Sequence, residues 1–181
     1  MQKPEIETLS ALTLQWATLE QKPALRQLLE LYQYDFSEFS PADVDDNGSY
    51  GYPYLDHYWV EPNRHPILFK MHGKMAGFAL VRTLPALPKA VFPVHSMAEF
   101  FVLKKYRRRS VGREAAFRLF SMFPGEWHVT QQVPNLPAQT FWRKVIREYT
   151  RCNYHETVDA EAGEVVQKFL STKGYSEKTD G

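Results

Sequence analysis

Residues 94–103, Val-His-Ser-Met-Ala-Glu-Phe-Phe-Val-Leu, form an apolar run with the β-branched and aromatic content of a central strand. The chain passes from it through Lys104, Lys105 and Arg107-Arg108-Arg109-Ser110 straight into a helical pattern. Beyond Gly112, the side chains of Ala115, Ala116, Leu119, Phe120 and Phe123 recur on one face, and Pro124-Gly125 ends the pattern. A strand that runs directly into an amphipathic helix must lay that helix against a sheet, which restricts the chain to a layered α/β arrangement. Pro85, Pro88 and Pro93 mark a loop ahead of this strand.

The rest of the chain supplies partners for that unit. Residues 12–19 alternate enough for a strand, and Lys22-Pro23 opens a helix whose apolar positions are Ala24, Leu25, Leu28, Leu29, Leu31 and Tyr32. Residues 65–71 and 75–81 read as a hairpin turning at His72-Gly73-Lys74. Residues 127–133 suit another strand. Asn135-Leu136-Pro137-Ala138 then starts a helix through Phe141, Trp142, Val145, Ile146 and Tyr149. Residues 154–158 and 164–170 close the chain as antiparallel strands around Ala162-Gly163. Residues 35–61 are irregular or briefly helical, with a turn at Asp46-Asn47-Gly48. The order β-α-irregular-β-β-β-α-β-α-β-β has no internal repeat and describes a mixed sheet. At 181 residues the chain fits one domain, 1–181, with its core over about 13–170 and a short tail at 171–181.

Bulk composition excludes more than it assigns. With 44% hydrophobic and 24% charged residues and a net charge of +1, nothing global favours nucleic acid or membrane as a partner. The lone Cys152 has no internal disulfide partner, and residues 1–7 lack the apolar core of a secretory signal. No apolar run approaches the roughly 20 residues that span a bilayer. A soluble, cytoplasmic protein is expected. The six histidines, His57, His65, His72, His95, His128 and His155, lack metal-ligand spacing, so no metal is expected.

Charge is concentrated locally instead. Residues 100–120 hold seven basic side chains and one acidic one, Glu114. The cluster sits where a strand becomes a helix, at N–H groups without intrahelical partners and at the positive end of the macrodipole. Such a corner suits phosphate. Taken alone, such a cluster is more often a solvated surface or a nucleic-acid patch than a phosphate cradle.

The stretch from Glu99 to Ala116 resembles the acetyl-CoA-binding segment of the GNAT superfamily of N-acetyltransferases. There an Arg or Gln is followed at plus three by Gly and at plus five by Gly or Ala, after a strand ending in Val; Arg107, Ser110, Gly112 and Val102 take those places. Ser110 departs from the commoner glycine, which suggests a backbone angle that a small polar residue tolerates. The resemblance implies a GNAT fold of the α+β type: a mixed, mostly antiparallel central sheet of six to seven strands flanked by about four helices. It implies acetyl-CoA as cosubstrate, bound by Arg107, Arg108, Arg109, Ser110, Val111, Gly112 and Arg113, by the backbone of Phe101, Val102 and Leu103, and by Asn135. Asn135 reads alternatively as a plain helix N-cap.

The same resemblance implies transfer of an acetyl group to a primary amine by direct attack in a ternary complex. Glu99, the lone carboxylate of its apolar run, is the candidate base, since burial would raise its pKa toward a useful range; a solvated or Arg-paired carboxylate is the alternative. Trp142 stands where the family often has a tyrosine, so no general acid is assigned. Residues 35–61 carry seven acidic side chains, no Lys or Arg, and many aromatics. In the family this segment walls the acceptor site, which makes Phe36, Tyr50 and Tyr54, together with Trp142, the candidate substrate contacts. Carboxylates beside aromatic faces suit a cationic small-molecule or peptide amine; the aromatics serve equally as core or as the face of a homodimer. The alternative function is a catalytically silent acyl-CoA-binding or sensory module.

Overall fold

The computed structural model describes residues 11–85 and 91–172; residues 1–7, Pro88 and tail residues 173–181, considered above, lie outside the described residues. Seven strands, β1 (Leu12–Trp16), β2 (Arg64–Met71), β3 (Lys74–Thr83), β4 (Val94–Val102), β5 (Gly125–Gln132), β6 (His155–Asp159) and β7 (Glu164–Ser171), hydrogen-bond in the order β1-β2-β3-β4-β5-β7-β6. Pairings β1–β2, β2–β3, β5–β7 and β6–β7 are antiparallel. Among the described residues there are three α-helices, α1 (Lys22–Phe36), α2 (Val111–Met122) and α3 (Leu136–Thr150), where about four were expected. The remaining helical pieces are single 3₁₀ turns, too short to present a face to the sheet. No described helix is long and apolar enough to cross a membrane.

The chain divides into two compact units. The first, Met1–Arg82 with Met97–Ala115, carries β1 to β3, α1, most of β4 and the start of α2. Pro23 sits in the first turn of α1, where its missing N–H costs nothing. Leu25, Leu28 and Leu29 face a core of Leu55, Tyr58, Leu68, Phe78, Leu80 and Phe101. Each such burial contributes roughly 1.5–3 kcal/mol. Leu31, expected on the apolar stripe, is 50% exposed, because at about 100° per residue it lies roughly 120° around the helix from the buried Leu25 and roughly 160° from Leu29. β1, expected to run to residue 19, ends at Trp16. A 3₁₀ turn over Leu19–Gln21 follows, and Gln21 Oε1 accepts the Thr18 N–H at 3.1 Å.

The second unit, Thr83–Ser96 with Ala116–Gly181, is built on β5, β7 and β6 with α3. Trp127, Phe120, Phe123, Trp142 and Phe169 form its aromatic core, with Phe120 edge-on to Trp127 at 5.0 Å and to Phe169 at 4.8 Å. The Trp127 indole N–H donates to Phe123 O at 2.9 Å.

Candidate active site

β4 delivers both halves of the site in the first unit. At its end, a 3₁₀ turn over Lys104–Tyr106 leads to four exposed residues, 107–110, and then to α2. Arg108 and Ser110 both adopt φ of 60°, the left-handed region that costs a side chain roughly 1–2 kcal/mol. The departure from glycine at Ser110 therefore falls where glycine would be least strained. The first bond of α2 runs from Glu114 N–H to Ser110 O at 2.9 Å, so the N–H groups of Val111, Gly112 and Arg113 precede the helical ladder.

Arg107 is spent differently from its neighbours. Its Nε donates to Val102 O at 2.7 Å, its guanidinium pairs with Asp35, and its charge lies 5.4 Å from the Phe101 ring centroid. Lys104 joins Asp35 at 3.0 Å. Burial opposes the charge on Asp35, but hydrogen bonds from Arg107 and Lys104 outweigh it and hold the carboxyl below its usual range. Arg107 thus braces the corner, while Arg108 and Arg109 form no ion pair among the described residues.

Three residues before its end, β4 places Glu99 at a half-buried position. The Tyr52 hydroxyl donates to Glu99 Oε1 at 3.0 Å, and the Tyr32 hydroxyl donates to the same carboxyl. Burial pushes the Glu99 pKa up, and the two tyrosines only partly offset it. Tyr32 and Tyr52 are both raised by their own burial and then by the neighbouring Glu99 charge. The buried Tyr58 hydroxyl, without a hydrogen bond of normal geometry, lies beside them, and Arg64 covers its ring at 5.4 Å. The partners of Glu99 are thus tyrosines rather than an arginine. Of the acceptor candidates, Phe36 stacks on Tyr32 at 5.8 Å and Tyr54 is 55% exposed, edge-on to Tyr52. Tyr50 is held through its backbone N–H by Glu30.

The seven acids of residues 35–61 do not act as one field. Asp35 is committed to Arg107 and Lys104, Asp56 to Lys22, and Glu61 to Arg64 and His57. Cations of the chain also cover aromatic faces there: Lys22 lies over Trp59 and Arg64 over Tyr54. Leu103 N–H, expected to face pantetheine, donates to Ala76 O at 2.8 Å. Gly77 lies beside it, and a glycine inside a strand is the sequence signal of such a close backbone approach. A Cβ at Gly77 would lie 2.1 Å from Phe101 O.

In the second unit, Asn135 caps α3, its side chain accepting the Ala138 N–H at 3.1 Å, as the N-cap alternative holds. Trp142, a candidate substrate contact, is buried beside Phe141 and Phe120. His95 bridges Thr83 Oγ1 and Pro124 O, and burial lowers its pKa; His128 meets Glu126 at 2.6 Å. Cys152 is exposed. No group of metal-ligating side chains occurs among the described residues.

The acetyltransferase (GNAT) family model matches residues 25–146, a span that includes the basic corner, Glu99 and Asn135. The chain belongs to the GNAT acetyltransferase family. No curated protein matches the sequence. The GNAT fold recurs in solved structures of low identity. An acetyltransferase from Thermus thermophilus has a TM-score of 0.67 at 16% identity, with 90% of this chain and 99% of that one covered. The PaiA N-acetyltransferase of Thermoplasma acidophilum, solved with coenzyme A, gives 0.59 at 7%, covering 88% and 98%. The ribosomal-protein-S18-alanine N-acetyltransferase of Escherichia coli gives 0.57 at 11%, covering 92% and 97%. GNAT membership makes acetyl transfer the class of activity of this chain.

Proposed function

We propose that this GNAT chain moves an acetyl group from acetyl-CoA to a primary amine by direct attack within a ternary complex. The observation that carries the reading is Glu99, a carboxyl raised by burial and held by Tyr32 and Tyr52 on the strand that ends at the basic corner. The side chains of Arg108 and Arg109 and the N–H groups of Val111, Gly112 and Arg113 suit the CoA phosphates, with Arg107 bracing the turn from behind. The backbone of β4 at Phe101 and Val102 is assigned to the pantetheine arm.

In the reaction the amine nitrogen attacks the thioester carbonyl carbon, the C–S bond breaks, and CoA leaves as a thiolate. Glu99, directly or through water, takes the proton that the amine loses. No protein acid is required, because a thiolate is a good leaving group.

The acceptor, a small molecule or a peptide, arrives as an ammonium ion and gives one proton to solvent before it attacks as the neutral amine, leaving Glu99 to take the second. Glu38, Asp43 and Asp46 remain exposed and outside any ion pair among the described residues, and they give such a cation a local attraction that the paired acids do not. The whole chain serves as one acetyltransferase domain in this reading, with both compact units reached by the family match.

A catalytically silent acyl-CoA-binding module is the second reading, favoured by the buried Trp142. Presenting acetyl-CoA with polyamines, aminoglycosides, amino acids and basic peptides separates the two. Thiol release matched by amide formation on at least one amine supports the transferase, and acetyl-CoA binding without thiol release on any of them supports the silent module.

A further inference from the structure

The segment that carries Tyr52 to Glu99 has no helix or strand of its own, and its position is set from α1. Glu30 Oε1 accepts the Ser49 hydroxyl at 2.8 Å and the Gly51 N–H at 2.9 Å, while Oε2 accepts the Tyr50 N–H at 2.8 Å. One helical turn further on, Gln33 Nε2 donates to Gly51 O at 2.9 Å. Asp45 Oδ1 orders the preceding turn by accepting the N–H groups of Asn47 and Ser49, both at 2.9 Å. One carboxylate therefore binds three consecutive residues, and the next residue in the chain is Tyr52. The same helix carries Tyr32, the second donor to Glu99.

We infer that Glu30 is a positioning residue for acetyl transfer, clamping residues 49–51 so that the Tyr52 hydroxyl meets the Glu99 carboxyl. The inference rests on the reading of Glu99 as the base. Glu30 touches neither Glu99 nor any reacting atom in that scheme; it acts by fixing where the chain presents the tyrosine. The titratable groups facing Glu99 are Tyr32 from α1, Tyr52 from the clamped segment and Tyr58 from the 3₁₀ turn over Leu55–Trp59. Of these only Tyr52 directly follows the clamp. A hydrogen bond donated to a carboxylate favours its charged form, so releasing Tyr52 makes Glu99 harder to ionise.

The test follows the titration of the Glu99 carboxyl by ¹³C NMR in wild type, Glu30→Ala, Tyr52→Phe and the double variant, with CoA affinity reporting that each chain is folded. The expected result is a midpoint moved to higher pH in Glu30→Ala, in the same direction as in Tyr52→Phe, with no further movement in the double variant. A wild-type midpoint in Glu30→Ala, or a shift in the double variant equal to the sum of the single ones, overturns the inference. Should Glu30→Ala fail to bind CoA, Glu30→Gln and Ser49→Ala carry the test, each with a smaller shift of the same sign; no shift in either is again contrary. The carboxyl signal needs no turnover. A Glu99→Gln chain with full activity would remove the base reading, while the midpoints would still decide whether Glu30 sets the Tyr52 contact.

Discussion

The Tyr52 hydroxyl meets Glu99 Oε1 at 3.0 Å, joining two residues 47 positions apart in sequence. Because this bond stabilises the ionised carboxyl, Tyr52→Phe moves the acid limb of the kcat/KM profile to higher pH. On the acid side of that limb kcat/KM falls by about tenfold, the loss of about 1.4 kcal/mol expected when a charged acceptor loses one donor. A profile that superimposes on wild type would show that Tyr52 is not coupled to the ionisation that matters for turnover.

Ser110 adopts φ of 60° in the turn ahead of α2. Ser110→Gly relieves a left-handed side chain at the cost of a more flexible unfolded chain, for a net gain of about 0.5–1 kcal/mol and about 2 °C in Tm. Ser110→Val places a β-branched residue in the same region and weakens CoA binding along with stability. Thermal melts and CoA titrations of the pair test this. Equal stability of the two variants would mean that the turn is not held in this conformation.

The strand, basic turn and helix at residues 94–123 were legible because each is encoded locally, by an apolar run, by punctuation and by one-face periodicity. The partners of Glu99 were not. Tyr50, Tyr52 and Tyr54 alternate at the same spacing, so no pattern tells which of them turns inward, and the clamp from Glu30 that decides it lies about 20 residues away. Summing the acids of residues 35–61 gave a negative field. The ion pair of Asp35 with Arg107, 72 positions away, shows why a sum over sequence misses charges cancelled in space. Trp142 lay on the apolar face of its helix beside Val145 and Ile146, and that periodicity marked its place in the core more reliably than its position in the family motif.

Asp35 holds Arg107 and Lys104 from the last turn of α1. Asp35→Asn loosens Arg107 and raises the Kd for CoA several-fold. The stability loss is about 1 kcal/mol or less, since both cations are well exposed. The carboxyl is held below its usual range, so its contribution is present above the ordinary Asp value and disappears as pH falls through the lowered one. Urea melts at neutral and acid pH should therefore separate wild type from Asp35→Asn only at the former. A separation that persists in acid would contradict the pairing.

At Gly77 an added methyl would meet Phe101 O at 2.1 Å and Val102 Cα at 3.0 Å. Because these neighbours are backbone, Gly77→Ala forces β3 away from β4 and costs about 2–3 kcal/mol, read from urea unfolding. A loss under about 0.5 kcal/mol would mean that the two strands do not approach this closely.

Glu99 also contributes to stability with a definite sign. Its folded pKa lies above the ordinary glutamate value, so the folded state holds the proton longer and stability falls as pH rises between the two values. Glu99→Gln removes that fall, and its Tm at neutral pH exceeds that of wild type by a few degrees. Melts in which wild type is the more stable protein at neutral pH would contradict the burial of this carboxyl.

The base assignment is tested most directly by the rate of thiol release from acetyl-CoA in wild type and Glu99→Gln, with a saturating primary amine, across acid and neutral pH. The expected result is a wild-type rate that falls on acidification and a Glu99→Gln rate lower by about 10²–10⁴-fold near neutrality, with acetyl-CoA affinity preserved. A Glu99→Gln protein that matches wild type at every pH would contradict the role of Glu99 as the base.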